Sequence, residues 1–297
     1  MYRAGIDIGG TQIRAAFFDG EFSVVDRVQF PNDREQSPEQ NIDKIVDFIN
    51  AFLKNSAACP GIGIGCPGPL DFAGGRVLNP PNLYGWNGFE LAAHVEKKTG
   101  LRAVLNNDAN CAGLAEARLG AGRGCPSVFY ITVSTGIGGA YIYRGELVNG
   151  AHSSAAEVYN LIVCEDSYSH QGANAGSLNE VCGGDALARQ AGEVFGRPVD
   201  AKELYDELYL ARRDPGAVKI VETWFTNLAK GIANIACVVD PDMFIMGGSI
   251  SLKSAGFLET LAEKAKPYLI HGESLRIEKA MLGGDAGLIG AAMLTEA

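Results

Sequence analysis

The chain is short of positive charge, and this shortage argues against one class of partner. Its 25 lysines and arginines stand against 35 aspartates and glutamates, which gives a formal net charge of −10. A field of that sign repels nucleic-acid phosphates, so we expect no nucleic-acid partner. No apolar run reaches a membrane-spanning length, and Asp7 follows the N-terminus too closely for a signal peptide. We therefore expect a cytoplasmic protein without a membrane partner.

The seven cysteines are odd in number and scattered, so the chain lacks the paired spacing of a disulfide framework. Most of them have apolar neighbours, which is typical of buried, reduced thiols in a cytosolic enzyme. They stand at Cys59, Cys66, Cys111, Cys125, Cys164, Cys182 and Cys237.

A linker or low-complexity tract is also missing, although 297 residues suggest about two domains. Strand patterns followed by helical ones favour an α/β fold, and 145–185 is rich in polar loop residues. We predict a smaller α/β domain at 1–106 plus 286–297 and a larger one at 107–285. The strand patterns cover about 3–8, 13–19, 22–29, 61–66, 102–105, 127–133, 138–143 and 243–246, and the helical ones about 38–54, 89–99, 108–120, 216–239 and 286–296.

A glycine turn follows the first strand. The strand carries Asp7 near its end, Gly9-Gly10-Thr11 comes next, and a second strand begins at once. Adjacent glycines let backbone N–H groups approach an anion, a threonine hydroxyl can bond a phosphate oxygen, and an aspartate can hold hydrated Mg²⁺. A plain hairpin with a glycine turn is the alternative, but it leaves an aspartate on an apolar strand unexplained.

A similar turn occurs more than a hundred residues later. Residues 128–143 form strand, glycine turn and strand, with Ser134-Thr135-Gly136-Ile137-Gly138-Gly139 between the apolar runs. The repetition suggests two related halves that face each other across a nucleotide. Because the chain has no Gly-x-x-x-x-Gly-Lys-[Ser/Thr] segment, the nucleotide is not expected in a P-loop.

The segment Gly63-Ile-Gly65-Cys-Pro-Gly68 fits the spacing of a dinucleotide fingerprint, but its context does not. That fingerprint needs a helix to begin at the last glycine, and here Pro67 and Pro69 flank it. We therefore reject a Rossmann interpretation.

Three polar residues stand between a predicted strand and a predicted helix. Asn106, Asn107 and Asp108 follow an apolar run, and a carboxylate there could accept a proton from a hydroxyl nucleophile while Asn107 orients the substrate. Helix capping is an equally good interpretation of the spacing alone. Gly247-Gly248 after a strand could let an adenosine lie against the backbone or could simply turn the chain.

Taken together, these segments resemble the ROK family of bacterial sugar kinases, within the actin-like ATPase and hexokinase fold, and the resemblance covers nearly the whole chain. It implies two α/β domains with a cleft between them, a homodimer, and transfer of phosphate from ATP to a sugar. The matching segments are Asp7–Thr11, Gly63–Gly68, Asn82–Trp86, Asn106–Glu116, Ser134–Gly139, Gly247–Gly248 and Asp285–Ala292.

The resemblance also implies roles for single residues. Asp108 is then the catalytic base and also contacts the sugar, and Asp7 holds the Mg²⁺ that accompanies ATP. The implied nucleotide-binding residues are Asp7, Gly9, Gly10, Thr11, Thr135, Gly136, Gly247 and Gly248. The implied sugar-binding residues are Gly68, Asn82, Asn107, Asp108, Glu157, Asn160, Asn179 and Glu180.

The region 157–180 departs from the family pattern. Where the family usually has Glu-x-Gly-His, the chain has Glu157-Val-Tyr159-Asn160. Three thiolate positions of the family's zinc loop become His170, Gly172 and Ser177, so we expect no structural zinc. The second sugar carboxylate of the family falls on Asn179, with Glu180 one residue along, so either residue could face the ligand.

We therefore predict a transferase, an ATP-dependent kinase that phosphorylates a primary hydroxyl of a hexose or hexose derivative. The altered pocket can prefer a sugar other than glucose or an N-acetylhexosamine, because unpaired buried polar groups discriminate strongly. A catalytically inactive sugar sensor and a kinase of a non-sugar polyol are the alternatives. A DNA-binding regulator is not expected, because only six residues precede Asp7.

Overall fold

The structure is a computed structural model that describes residues 1–54, 58–170 and 172–296. Its strands are β1 Arg3–Ile8, β2 Gln12–Phe18, β3 Val24–Pro31, β4 Ile62–Cys66, β5 Leu70–Asp71, β6 Arg76–Val77, β7 Ala103–Asn107, β8 Ser127–Val133, β9 Ile137–Tyr143, β10 Glu146–Leu147, β11 Met243–Gly247 and β12 Ile277–Lys279. Its α-helices are α1 Pro38–Leu53, α2 Leu91–Thr99, α3 Asp108–Arg118, α4 Leu178–Cys182, α5 Gly184–Phe195, α6 Pro215–Val239, α7 Ser249–Lys253, α8 Phe257–Ala265 and α9 Ala286–Met293, and a π-helix covers Glu203–Ala211.

The predicted α/β class is confirmed, and the chain forms two compact units. Unit 1 comprises residues up to Leu119, the segment Asn149–Ser153 and the chain from Leu282 onward, and unit 2 comprises Gly120–Val148 and Ser154–Met281. The predicted boundary at residue 106 falls inside unit 1, because α3 follows that residue and packs against α9.

Unit 1 is built on a five-stranded sheet in the order β3-β2-β1-β4-β7. The first three strands pair antiparallel, and β1, β4 and β7 pair parallel. Helix α1 begins with a capping box, in which Ser37 accepts from Gln40 N–H and the Gln40 side chain accepts from Ser37 N–H. Its apolar face buries Ile42, Ile45 and Ile49 in the same core as the sheet.

Helix α9 lies directly on β1 and β4, and glycines make this approach possible. A Cβ on Gly5 would overlap the carbonyl of Leu288, and one on Gly63 would overlap the carbonyl of Ala291. Gly63 therefore serves helix packing, and Gly68 is followed by Pro69 and the short strand β5 rather than by a helix. The rejection of a dinucleotide fingerprint at 63–68 is confirmed.

Unit 2 repeats the strand arrangement of unit 1. Its sheet has the order β10-β9-β8-β11-β12, with the first three strands antiparallel and β8, β11 and β12 parallel. The long helix α6 starts at Pro215 with Asp214 as its cap, whose carboxylate accepts from Gly216 N–H at 2.8 Å. It buries Trp224 and Phe225 in the unit's core, and it ends at Asp240 in a left-handed conformation before Pro241.

The sequence analysis left several elements without a prediction. The polar, loop-rich region 145–185 contains α4 and the start of α5, and α7, α8, β12 and the π-helix had no prediction either. Of the helices in the described part of the chain, none combines the length and apolar character needed to cross a membrane.

The seven cysteines are free thiols, and Cys59, Cys66, Cys111 and Cys182 are buried, while Cys237 is exposed.

Candidate active site

In unit 1, the first glycine turn joins β1 to β2 and is held by Asn32. Gly9 N–H donates to the Gln12 carbonyl at 2.8 Å, which closes the turn. The Asn32 side-chain amide donates to the Gly9 carbonyl at 2.9 Å, and Asn32 N–H donates to the Thr11 carbonyl at 2.9 Å. Because two carbonyls of the turn are bound, its shape is fixed, and Thr11 stands exposed at its tip.

Asp7 is paired with Arg14 across the first two strands. The hairpin register places these residues opposite each other, and Arg14 Nε donates to Asp7 Oδ2 at 3.1 Å, with Nη2 on the same oxygen. A Cβ added to Gly287 would lie 3.2 Å from the other carboxylate oxygen of Asp7, Oδ1. Glycine at 287 therefore leaves space beside Oδ1, the oxygen of Asp7 that Arg14 does not bind, and a carboxylate oxygen is the type of ligand that a hydrated divalent cation takes.

The segment 106–108 divides its tasks between the three residues. Asn107 caps α3, since its Oδ1 accepts from Ala109 N–H at 2.8 Å and from Asn110 N–H at 3.4 Å. Asn106 braces the strand end, since its Oδ1 accepts from the Asn110 side chain at 2.8 Å and its Nδ2 donates to Asn149 Oδ1 at 3.1 Å. The two asparagines thus perform most of the capping and bracing, while Asp108 Oδ1 also accepts from Ala109 N–H at 2.9 Å.

The surroundings of Asp108 suit a proton acceptor. Burial, and after it the negative charge of Asp7, raises the pKa of Asp108 from 3.8 to about 6. The neighbouring thiols of Cys66 and Cys111 are fully buried, and burial raises the pKa of each well above 9.0, so both stay neutral. A carboxylate whose pKa lies near neutrality is what general-base catalysis requires.

Two loops of unit 1 lie beside these groups. A Cβ on Gly68 would lie 3.5 Å from Asn107 Nδ2, and a Cβ on Gly10 would lie 2.9 Å from the Asn82 carbonyl. Asn82 itself is exposed, whereas Trp86 packs in the core with 2% of its surface accessible. Unit 1 therefore brings together all of its predicted site residues, which are Asp7, Gly9, Gly10, Thr11, Gly68, Asn82, Asn107 and Asp108.

In unit 2, the second glycine turn joins β8 to β9 and is held by α5. Ser134 N–H donates to the Gly136 carbonyl at 2.9 Å. Gly184 N–H donates to the Ser134 carbonyl at 2.8 Å, and Asp185 N–H donates to the Thr135 carbonyl at 3.0 Å. As in the first turn, the bound carbonyls fix the loop, and the threonine side chain is exposed.

The Gly247-Gly248 pair lies beside this second turn. Gly248 adopts a φ of +90°, and a Cβ there would overlap the backbone of Val133, so both the conformation and the space require glycine. Ser249, the next residue, has its hydroxyl 3.2 Å from that of Ser134. Unit 2 thus brings together its four predicted nucleotide-binding residues, which are Thr135, Gly136, Gly247 and Gly248.

The remaining predicted residues of unit 2 form two groups. Glu157 precedes the single turn Val158–Asn160, and Asn160 Oδ1 accepts from the N–H of Asn174 at 2.6 Å. Asn179 lies on α4, where its Oδ1 accepts from Ile137 N–H at 3.1 Å and its Nδ2 donates to Glu180 Oε1 at 3.1 Å. Asn179 is therefore in direct contact with the second glycine turn.

Comparison with known proteins agrees with this arrangement. The family model described as the ROK family matches residues 3–297. The chain belongs to the ROK family. An N-acetyl-D-glucosamine kinase of Vibrio parahaemolyticus is 31% identical and covers 98% of this chain and of its own length. The prediction of ROK membership from the sequence is confirmed.

Solved ROK structures have the same fold. A ROK hexokinase from Thermus thermophilus superposes with a TM-score of 0.91 at 35% identity, over 99% of this chain and 97% of that chain. A ROK-family glucokinase from Streptomyces griseus, solved in complex with glucose and AMPPNP, gives a TM-score of 0.79 at 30% identity, over 99% of both chains. The predicted actin-like, hexokinase-type fold is confirmed.

This ROK chain shows its departures in the region of the family's zinc loop. Among the described residues, no group of three or more histidine, cysteine, aspartate or glutamate side chains is placed to hold a metal ion. His170 lies with its ring 6.5 Å from that of Tyr168, and Ser177 starts α4 with a buried hydroxyl that has no hydrogen-bond partner among the described residues.

Arg14 is the residue of this ROK site that the sequence reasoning missed. Its ion pair with Asp7 reaches a second acid, because Arg14 Nη1 is 4.0 Å from Asp285 Oδ1 and Arg27 Nη1 is 3.7 Å from Asp285 Oδ2. Asp285 directly precedes α9, but its side chain makes no capping hydrogen bond to that helix. A signal existed, since a hairpin turn at Gly9-Gly10 places residues 7 and 14 opposite each other.

Proposed function

We propose that the protein is an ATP-dependent sugar kinase that transfers the γ-phosphoryl group of ATP to a primary hydroxyl of a hexose or hexose derivative. The chain belongs to the ROK family, and its named relatives are carbohydrate kinases, among them glucokinases and N-acetyl-D-glucosamine kinases. The single observation that supports catalysis best is the carboxylate of Asp108, whose pKa is raised to about 6 by burial and by the charge of Asp7.

Asp108 accepts the proton of the attacking hydroxyl. As the sugar oxygen forms its bond to the γ-phosphorus, the bond to the bridging oxygen of ADP breaks, and the hydroxyl proton passes to the carboxylate. A base with a pKa of about 6 is ionised at neutral pH, yet it is basic enough to hold the proton as the oxygen loses it. The neutral thiols of Cys66 and Cys111 keep the surroundings apolar, so the charge of the carboxylate is little screened.

The two glycine turns bind the nucleotide. Their backbone N–H groups bind phosphate oxygens, and the hydroxyls of Thr11 and Thr135 add side-chain donors. Gly247 and Gly248, which lie against Tyr130 and Val133 beside the second turn, contact the adenosine with their backbone. Asp7, with its Oδ1 beside the space at Gly287, would hold the hydrated Mg²⁺ of Mg·ATP. When bound, this ion neutralises charge on the phosphates.

The residues that we propose to bind the sugar are mostly polar. Asn107 offers its Nδ2, because its Oδ1 is occupied by the helix cap, and Gly68 lets the loop approach it. The other sugar-side residues of the proposal are Asn82, Glu157, Asn160 and Glu180. Asparagine at 160 cannot become cationic, so the hydroxyl pattern that fits here can differ from that of other ROK kinases.

The test is ADP release with Mg·ATP and a panel of hexoses, among them glucose, mannose, fructose and the N-acetylhexosamines. We expect at least one sugar to raise ADP release well above the rate without sugar. Asp108→Asn should keep nucleotide binding and lose sugar-dependent turnover by about two or more orders of magnitude. Asp47→Asn, the same substitution at an exposed position of α1, is the matched control and should leave turnover unchanged.

Two outcomes would contradict the proposal. Release of ADP at the background rate with every sugar would favour the sugar-sensor alternative. Near-normal turnover of Asp108→Asn with an active sugar would remove Asp108 from its catalytic role while leaving the kinase assignment in place.

A further inference from the structure

The amide of Asn179 and the second glycine turn are fitted to each other. Asn179 Oδ1 accepts from Ile137 N–H at 3.1 Å. A Cβ added to Gly136 would lie 2.7 Å from the same oxygen, which is closer than real side chains approach. The side chain therefore occupies the space that any larger residue at 136 would need, and it bonds the next amide of the turn.

The orientation of the amide is set by its two partners. Glu180 Oε1 is a carboxylate oxygen and needs a donor, which Asn179 Nδ2 supplies at 3.1 Å. Ile137 N–H needs an acceptor, which Oδ1 supplies. Rotating the amide by half a turn would bring like groups together at both ends. Because Glu180 is itself buried, with 4% of its surface accessible, its carboxylate fixes the amide firmly.

Asn179 completes a set of bonds that holds the turn from one side. The start of α5 already binds two carbonyls of the turn, with Gly184 N–H on Ser134 at 2.8 Å and Asp185 N–H on Thr135 at 3.0 Å. Asn179 adds the only side-chain bond to the turn's backbone that the described residues show. Without it, Ile137 N–H would lose a partner and the peptide planes of Gly136 and Ile137 could rotate.

We propose that Asn179 is a positioning residue for the nucleotide, which holds the turn at 134–137 in the shape that binds phosphate and does not contact the sugar. This inference rests on the proposed kinase function. Both ends of its amide are bound within the protein, to the turn and to Glu180, so these two bonds set where the side chain points. One N–H of Nδ2 and one lone pair of Oδ1 remain, and the KM for the sugar in Asn179→Ala decides whether a sugar hydroxyl uses them. The position that the family resemblance assigns to a sugar carboxylate thus has a different task in this chain.

The test compares substrate constants in Asn179→Ala. We expect KM for ATP, and Kd for AMPPNP measured by calorimetry without sugar, to rise about five- to tenfold, the effect of losing one buried hydrogen bond. KM for the active sugar should stay within about twofold. Asn174→Ala is the matched control, because Asn174 is exposed in the preceding loop and its contact with Asn160 uses only its backbone; it should change neither constant.

A double-mutant cycle keeps the test informative if one variant folds poorly. Gly136→Ala alone should raise KM for ATP, since its Cβ would displace the Asn179 amide. In the Asn179→Ala background, Gly136→Ala should raise KM for ATP little further, because the amide that its Cβ would displace is no longer there. Equal effects of Gly136→Ala in both backgrounds would show that the Cβ disturbs the phosphates directly, and this would overturn the proposal.

The remaining outcomes separate this inference from the function on which it rests. An active wild type whose Asn179→Ala variant changes KM only for the sugar would show that Asn179 contacts the sugar. An active wild type with both constants unchanged in the variant would equally reject the positioning role. A wild type without activity toward any sugar would reject the kinase function, whereas its AMPPNP affinity would still report whether Asn179 supports the turn.

Discussion

At the residue scale, the site depends on how neighbouring polar side chains share their tasks. A run such as Asn106-Asn107-Asp108 can cap a helix or perform catalysis, and the sequence alone gives both equal weight. The hydrogen bonds show how the tasks are shared, because Asn107 caps α3, Asn106 braces the strand end, and Asp108 Oδ1 accepts from Ala109 N–H, which it shares with Asn107. The carboxylate of Asp108 lies close enough to Asp7 for the charge of Asp7 to raise its pKa.

The raised pKa of Asp108 predicts the pH dependence of catalysis. The base must be ionised, so kcat/KM for the sugar should be constant at neutral pH and fall as pH drops below about 6. A steady-state profile from pH 5 to 8 with the active sugar measures this, and Asp47→Asn should give the same profile as wild type. An acid limb near pH 4, the ordinary range of an aspartate, would contradict the expected environment.

The same shift predicts an effect on stability. A folded pKa of about 6 against an ordinary 3.8 means that ionised Asp108 is disfavoured in the folded state. The free energy of unfolding is therefore higher below about pH 4, where Asp108 is protonated in both the folded and the unfolded state. It falls by at most about 3 kcal/mol as pH rises through 6 and the folded protein has to ionise this carboxyl.

Asp108→Asn removes this cost, because the amide carries no charge. The variant should melt at a higher temperature than wild type at pH 7.5, and the difference should vanish near pH 4. Differential scanning fluorimetry at the two pH values measures it. A variant that is less stable at pH 7.5 would show that hydrogen bonds to the carboxylate outweigh its desolvation.

At the element scale, the sequence predicted elements with strong local signals and missed those without them. Helix α6 has Asp214-Pro215 at its start and Asp240-Pro241 at its end. Its predicted range, 216–239, therefore differs from the observed Pro215–Val239 by one residue at the start only. Helix α5 begins after Gly183 with no side-chain cap, and α8 begins after Gly256 with none. Packing against α6 stabilises both elements, and packing is not visible in a local pattern.

Helix α9 and strand β4 give a prediction at this scale. Gly63→Ala should lower the free energy of unfolding of the protein by at least about 2 kcal/mol, because its Cβ would overlap the carbonyl of Ala291. Thermal melting measures the loss. Gly20→Ala is the matched control, since a Cβ there meets nothing within 4 Å, and it should melt within about 1 °C of wild type. Equal melting of the two variants would mean that α9 does not rest on β4.

At the scale of the whole molecule, the two units share one strand order and place a glycine turn at the same point of it. In unit 1 the turn joins β1 to β2, and in unit 2 it joins β8 to β9, each time at the end of the central strand of the sheet. The sequence predicted this repetition, because two glycine turns between apolar strands are a local signal. It could not predict that Asn179 would contact the second turn, because that contact joins residues 42 positions apart.

The altered region 157–180 leads to the last prediction, which concerns metal ions. His170, Gly172 and Ser177 stand where the ROK zinc loop has three cysteines, and a tetrahedral zinc site needs about four nitrogen or sulfur ligands. Dialysis against EDTA without nucleotide should therefore leave the melting temperature within about 1 °C, because no metal-linked folding energy is lost. The same EDTA should abolish sugar phosphorylation, and excess Mg²⁺ should restore it, because Mg²⁺ accompanies ATP. A melting temperature that falls by several degrees and recovers only with zinc would show that other residues of this chain bind a structural metal.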